Sequence, residues 1–352
     1  MSICFGVLSS SDLDLWYDFV FEVFKAKTTR QYFVNHHEND PNATTESIFI
    51  AFIPDTKPLE IVGSVKVFHR WIQTCDGGKM KCGGIGEVST REDYRRKGIA
   101  STLLKHAIAF MERNSFQISS LHAAPSASAM YQSLGWQTIP MYHSFIQLRL
   151  DLSLHYPCEI LTFNDLEVNQ MIEIYHNFCK DLHGCNIRWP QRSDENLSVQ
   201  NYWKHWVGTE CQSHQCQPLA LFSEDNHLQA YLIVGPNQQY EDTTNLQLRV
   251  KEFVCKSMED SWLLFLSLLR EYVRRGHHSE TSDQVTLDIT MPHSLMMKLN
   301  PVCCTQASII EKKEKSEVDN GYMYKLIDGQ LGMTVQDYIH PDHHLAWKTD
   351  GF

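Results

Sequence analysis

Three basic residues, Arg95, Arg96 and Lys97, stand directly before Gly98 within GGIGEVSTREDYRRKGIASTLL, residues 83–104, and an apolar, helix-like run follows at once. A helix start leaves several backbone N–H groups unpaired and carries partial positive charge. Glycine at the entry lets successive amides converge on one point without interference from a Cβ. With the adjoining guanidinium and ammonium groups, such a turn suits a pyrophosphate. The plainer alternative is a strand-to-helix loop carrying a solvated charge run. The usual phosphate patterns, GxGxxG and GxxxxGK[ST], are absent from the sequence. The pattern that stands there is R-x-x-G-x-A, Arg95 to Ala100.

The elements that would hold this turn follow from periodicity. ICFGVLS (3–9) reads as a strand, with Ser11 or Asp12 capping a helix that carries Leu13, Trp16, Val20, Val23 and Phe24. Two strands, 47–53 and 60–72, flank the turn-like PDTKP; the hairpin signal CDGGK precedes a further strand, CGGIGEVST. The helix ASTLLKHAIAFMERN places Leu103, Leu104, Ala107, Ile108 and Met111 on one face. The strand ISSLHAA, a short helix over SASAMYQSLG and a strand near MYHSFIQLRL complete the set.

From residue 158 the order begins again. CEILTFNDLEVNQMIEIYHNFC repeats strand, cap and helix, PLALFSEDNHLQAYLIVG the paired strands, and LQLRVKEFVCKSMEDSWLLFLSLLREYVRRG strand, loop and helix, while QVTLDITMP echoes QISSLHAAP. The second copy gains an insert near 180–216, where SDENLSVQNYWKHWV reads as a capped helix with Trp203 and Trp206. EKKEKSEVDNG (311–321) reads as a solvated loop, and 331–352 as a tail. The division expected is 1–152, 153–330 and 331–352.

The strand–loop–helix with its RxxGxA, the later SAMYQSLGW and the order of elements over the first half resemble the GNAT superfamily, the Gcn5-related N-acetyltransferases. The resemblance implies an α/β acyl-CoA N-acyltransferase fold in two tandem copies, each a mixed, mostly antiparallel central sheet flanked by helices. It implies acetyl-CoA as co-substrate, its diphosphate on the amides of Lys97, Gly98, Ile99, Ala100, Ser101 and Thr102 beside Arg95 and Arg96. The pantetheine arm would lie in a slot between splayed strands, along the backbone of Val88 and Thr90. By the same resemblance Tyr131 protonates the leaving thiolate, and Glu87 binds or deprotonates the amine. A core aromatic and an outward strand carboxylate are the respective alternatives. His122 is a second candidate base or a structural histidine. Position 124 is Ala, where many relatives carry a cofactor-contacting asparagine, so that contact does not transfer.

In the second copy the stretch matching the turn is CKSMEDSWLL, with Glu259 and Asp260 where a diphosphate would lie. Counting from Pro292 as the partner of Pro125, Lys298 takes the tyrosine position. This half is therefore expected to cover the first half's active face and shape the amine pocket. One active and one degenerate half, with RWPQ…YWKHW and YMYKLI, resembles the enhanced-intracellular-survival type of acetyltransferase. That group ends in a sterol-carrier-like domain and uses its terminal carboxylate as base. The stretch after 330 is too short for such a domain, and Phe352 is expected to end a floppy tail.

Composition narrows the partners. The 352 residues carry a formal charge of −11, which disfavours nucleic acid and anionic membranes and suits a cationic small substrate. Eleven scattered cysteines fit free thiols in a reducing compartment. Neither a basic leader nor a membrane-length apolar run stands out, so a cytoplasmic protein is expected. His36, His37, His340, His343 and His344 are expected on solvated segments, with no metal site. The reading is an acetyl-CoA-dependent N-acetyltransferase of a small-molecule amine such as a polyamine or amino acid. A protein lysine or N-terminus as acceptor, or a non-catalytic acyl-CoA sensor, are the alternatives; oligomeric state is left open.

Overall fold

The computed structural model describes residues 2–346, apart from 27, 41, 154–158, 161–167, 189–215, 238–244, 277–282, 303, 305–306 and 330–331. The expected helix with Trp203 and Trp206, and Phe352, lie outside the described residues. Among the described residues, two seven-stranded sheets form the frame. In the first, β1 (Cys4–Val7), β2 (Ile48–Ile53), β3 (Glu60–Gln73) and β4 (Lys79–Thr90) are antiparallel neighbours in chain order. β5 (Ile118–His122) then pairs in parallel with β4. β2 reads as an unbroken apolar run because both of its faces are buried. Ile48 and Ile50 pack under α1 (Leu13–Phe24) and α2 (Arg30–Glu38). Phe49, Ala51 and Ile53 pack with α3 (Ile99–Arg113) on the other side.

The remaining strands of this sheet come from the close of the first half and from near the far end of the chain. β14 (Tyr322–Leu326) lies between β5 and β6 (Gln137–Thr138), antiparallel to both. The strand that should have closed the first sheet, β7 (Met141–Asp151), leaves it. It lies instead in the second sheet, between β12 (Gln284–Pro292) and β13 (Ala307–Asp319). β8 (Glu159–Ile160), β9 (Gln217–Phe222), β10 (Leu228–Pro236) and β11 (Leu246–Cys255) complete that sheet, and β11 and β12 are its parallel pair. Among the described residues three helices accompany it: α5 (Val168–Cys179), α6 (Ser261–Gly276) and α7 (His293–Leu299), while α4 (Ser128–Ser133) precedes β6 in the first half. A cut at residue 152 therefore follows the sequence repeat and divides both sheets.

Several expectations are corrected. Residues 311–321 are not a loop over most of their length, because 311–319 belong to β13. The strand's backbone pairs with β7 while its alternating Lys and Glu side chains stay in solvent, as suits an edge. The tail is not floppy over 332–346: Val335, Ile339 and Leu345 are buried in the shared core, and the Cys75 amide donates to the Tyr338 carbonyl at 3.0 Å. Of the two expected caps, Asp12 holds the N-cap position of α1, while Ser11 lies in the turn before it. Ser9 caps a short 3-10 turn over Ser10–Asp12, and Asp12 makes no side-chain bond to the start of α1. His36, His37 and His344 are buried, since α2 packs against β3 and the tail packs between the halves; His340 and His343 are exposed as expected.

Met323 shows what the exchange contributes. It is fully buried in the core beneath α3, yet arrives on a strand 213 positions beyond Phe110 and 192 beyond Tyr131. Met323→Ala should cost about 2–5 kcal/mol by urea denaturation, as for other buried Met truncations. The exposed Met333→Ala should stay within about 0.5 kcal/mol of the parent.

Candidate active site

β4 and β5 begin side by side and then part. Their parallel pairing covers Cys82–Gly84 against Ile118–Ser120, while β4 runs on to Thr90. The backbone of 85–90 is thus released from its β5 neighbour. A cleft of about 700 Å³ opens along it, floored by Val88, Ser89 and Thr90.

The basic turn closes one end of this cleft. Gly98 is the N-cap of α3, with φ +76°, and Arg96 adopts φ +63°. A Cβ built on Gly98 would meet nothing within 4 Å. Two left-handed residues in three make the chain turn sharply enough to aim the first amides of α3 outward. Arg95, Arg96, Gly98, Ile99, Ala100 and Ser101 line the cleft. The Arg95 Nε donates to the Thr90 carbonyl at 3.2 Å, tying the turn to the end of β4. Lys97 and Thr102, also named from the sequence, are placed differently. The Lys97 ammonium lies 4.6 Å from the Tyr94 ring centroid, and the Thr102 amide and hydroxyl both donate to the Gly98 carbonyl. That bond starts the helix, so the amides left to face the cleft are those up to Ser101.

Tyr131 reaches the same cleft from the opposite wall on α4. Its ring packs edge-on against Trp136, with centroids 6.0 Å apart, and burial pushes the phenol up to about 12. The hydroxyl is therefore protonated across the physiological range and can donate. Glu87 stands beside the cleft, not in it. The β3–β4 register shifts between Ser64 and Lys66, and Glu87 takes φ +52° in the resulting bulge. The bulge turns Glu87 toward α2, where its carboxylate lies 3.9 Å from His36 Nδ1 and both side chains are almost fully buried. Val88, the next residue, lines the cleft.

His122 points elsewhere, pairing with Asp319 at 3.0 Å and meeting Tyr322 edge-on at 4.7 Å. Ala124 caps the 3-10 turn before α4 without a side-chain bond. In the second half Ser257 and Asp260 bond to each other before α6, and Lys298 pairs with Asp181 at 3.5 Å above the Phe178 ring. The sequence reading missed His36, Lys66, Asp40 and Arg70, which gather with Glu87 under α1 and α2. The available signal was a lone Lys and a lone Arg inside the mostly apolar strand IVGSVKVFHRWI. Among the described residues no three His, Cys, Asp or Glu side chains gather as a metal site, and no helix is long and apolar enough to cross a membrane.

Residues 7–139 match the sequence profile of the acetyltransferase (GNAT) domain. An aminoglycoside 2'-N-acetyltransferase of Mycolicibacterium fortuitum is 35% identical over 57 residues, 16% of this chain and 29% of that protein. The chain thus spans under a third of that relative's length. Solved structures share the fold over 93% of this chain at low identity. A GCN5-related N-acetyltransferase from Anabaena variabilis aligns with TM-score 0.61 and 13% identity over 73% of its length. Eis1 from Mycobacterium abscessus gives 0.57 and 12% over 74%. The N-myristoyltransferase of Saccharomyces cerevisiae with bound myristoyl-CoA gives 0.53 and 8% over 79%.

The left-handed backbone at Gly98, with open space at its Cβ, separates strain from crowding. Gly98→Ala should fold and lose about 1–2 kcal/mol in urea denaturation, the cost of a Cβ in that conformation. A loss within a few tenths of a kcal/mol would mean that the turn relaxes to another conformation.

Proposed function

We propose that this chain, in which residues 7–139 form a GNAT acetyltransferase domain, transfers the acetyl group of acetyl-CoA to the amine of a small molecule. The observation that carries the reading is one cleft holding both a glycine-entered helix start with two arginines and a buried, protonated tyrosine. The first group suits a diphosphate and the second suits a departing thiolate. The open space at the Gly98 Cβ position is where an anion could approach the amides closely.

Acetyl-CoA supplies an activated acyl group whose leaving thiolate gains from a proton. On this reading the amides of Gly98 to Ser101, with Arg95 and Arg96, hold the diphosphate. The released edge of β4 at Val88 and Thr90 offers backbone groups to the pantetheine arm. Tyr131 keeps its proton in the resting state because burial disfavours the phenolate, and gives it up only to a stronger base. Glu87 lies on the face of β4 opposite the cleft, so on this reading it receives the amine's proton through an intervening water. The formal charge of −11 and the similarity of a 57-residue stretch to an aminoglycoside N-acetyltransferase support a small cationic acceptor.

A panel of polyamines, amino acids, aminoglycosides and lysine peptides with acetyl-CoA, followed by thiol release, tests the reading; turnover on peptides alone would move the acceptor class to protein. Tyr131→Phe keeps the ring and removes the proton. Its kcat should fall by about 10²–10⁴, with acetyl-CoA affinity by calorimetry unchanged. Parental kcat, measured where chemistry limits the rate, would reduce Tyr131 to packing.

A further inference from the structure

Over 332–346 the tail is held by more than its apolar residues. Beside the buried Val335, Ile339 and Leu345, a ladder of bonds joins it to the residues that follow α5. The His183 amide donates to the His343 carbonyl, and the Leu345 amide donates to the His183 carbonyl, both at 2.9 Å. The Cys185 thiol donates to the Leu345 carbonyl at 3.3 Å. From α7 the Ser294 hydroxyl donates to the His344 carbonyl at 3.2 Å.

Two imidazoles sit inside this contact, and the bonds they make fit the neutral ring. His183 is 8% exposed, and its Nδ1 accepts the His340 amide of the tail at 3.1 Å. A ring nitrogen that accepts carries no proton, so protonation there breaks the bond and sets two N–H groups against each other. His344 is 1% exposed, with Nδ1 3.3 Å from the Pro140 carbonyl and Nε2 2.8 Å from the Tyr324 hydroxyl. The carbonyl can only accept, so Nδ1 carries the ring's proton and Nε2 accepts from Tyr324.

The groups facing these rings do not make up for a positive charge. His343 lies beside His183 with ring centroids 5.2 Å apart, and His340 lies 5.9 Å from His343; both oppose a charge on His183. Asp181, just after α5, and Asp76, in the turn between β3 and β4, pull the other way. His344 meets Tyr322 and Tyr324 of β14, with Asp319 of β13 favouring a charge and His183 opposing it. Burial outweighs the carboxylates in both cases and holds each imidazole down to about 4.

We propose that the tail is a proton-operated clasp, closed while His183 and His344 are neutral and released when they take up protons. Docking and protonation exclude each other. Once the tail lifts, both rings regain water and the ordinary affinity of an imidazole for a proton. A group held low in the docked state supports docking fully above its ordinary value of 6.5, and that support is lost as pH falls from there toward 4. Release frees the β3–β4 turn, whose Cys75 amide donates to the Tyr338 carbonyl, and uncovers Val335, Ile339 and Leu345. The clasp is independent of the acetyl-transfer reading.

Amide hydrogen exchange by NMR, corrected for its intrinsic pH dependence, reads the clasp through the His340 and Leu345 amides. Between about pH 7.5 and pH 5 their protection in the parent should fall by roughly 30-fold for each imidazole, relative to the Leu232 amide of β10. An equal fall at Leu232, or no fall in the tail, would overturn the proposal. His183→Asn keeps an acceptor near the Nδ1 position but binds no proton, so the fall at His340 and Leu345 should shrink by about that 30-fold. An undiminished fall in the folded variant would also overturn it. Should the variant not fold, titration of the His183 ring protons in the parent decides. A midpoint below about 5.5 is expected, and one above it would mean that docking does not resist the proton.

Discussion

The cleft exists because β5 loses one neighbour and keeps the other. β4 stays beside β5 for three residue pairs and then departs, which frees the backbone that floors the cleft. A strand released on one side would fray unless its other edge were fixed, since each backbone group left unpaired in a protein interior is costly. β14 fixes it, pairing with β5 over all five residues, His122 to Ile118. That strand comes from the far end of the chain, so the first half's slot depends on the second half's presence. The exchange is reciprocal: β7 runs beside β12 for nine residue pairs and supports β13 on its other edge.

This dependence gives the second half a physical role in the frame. The segment before α6 carries Glu259 and Asp260 where the first half carries arginines, and Lys298 is engaged by Asp181. What the two halves share is the frame. The second half's core is anchored by Arg188, which meets Glu252 through two bonds of 2.7 and 2.8 Å while its guanidinium lies 4.0 Å from the Tyr175 ring. Removing either partner would leave a bare charge in that core, which is why such pairs are costly to break once built. The tail then crosses the seam, with Tyr324 of the first sheet bonded to His344 at 2.8 Å. Burial drives His344 down to about 4, so this contact joins neutral groups and persists through the physiological range.

One bulge organises the chemistry. By adding a residue to β4 opposite Ser64–Lys66, it sends Glu87 to the α2 face and leaves Val88 on the cleft face. An acid and the edge of the slot thereby become sequence neighbours on opposite sides of the sheet. The cost is an ionisable side chain in a buried place, and a balanced set of charges surrounds it. Bulges commonly serve to re-aim a side chain in this way.

The sequence by itself determined the parts whose physics is local. Gly98 after three basic residues marked the turn, because only a residue without Cβ enters a helix readily at positive φ. The strand and helix order followed from periods of 2 and 3.6, and the short helix around Tyr131 from its neighbours. The alternating Lys and Glu of β13 concealed a strand, since an edge exposed on both faces has no apolar period to show. Only the tertiary structure decided which strand pairs with which, because β7 and β14 have patterns that suit either sheet. Only it decided that His36, Lys66, Asp40 and Arg70 surround Glu87. Their meeting depends on a one-residue shift of register and on the packing of α2 against β3, and neither leaves a mark on the spacing of residues along the chain.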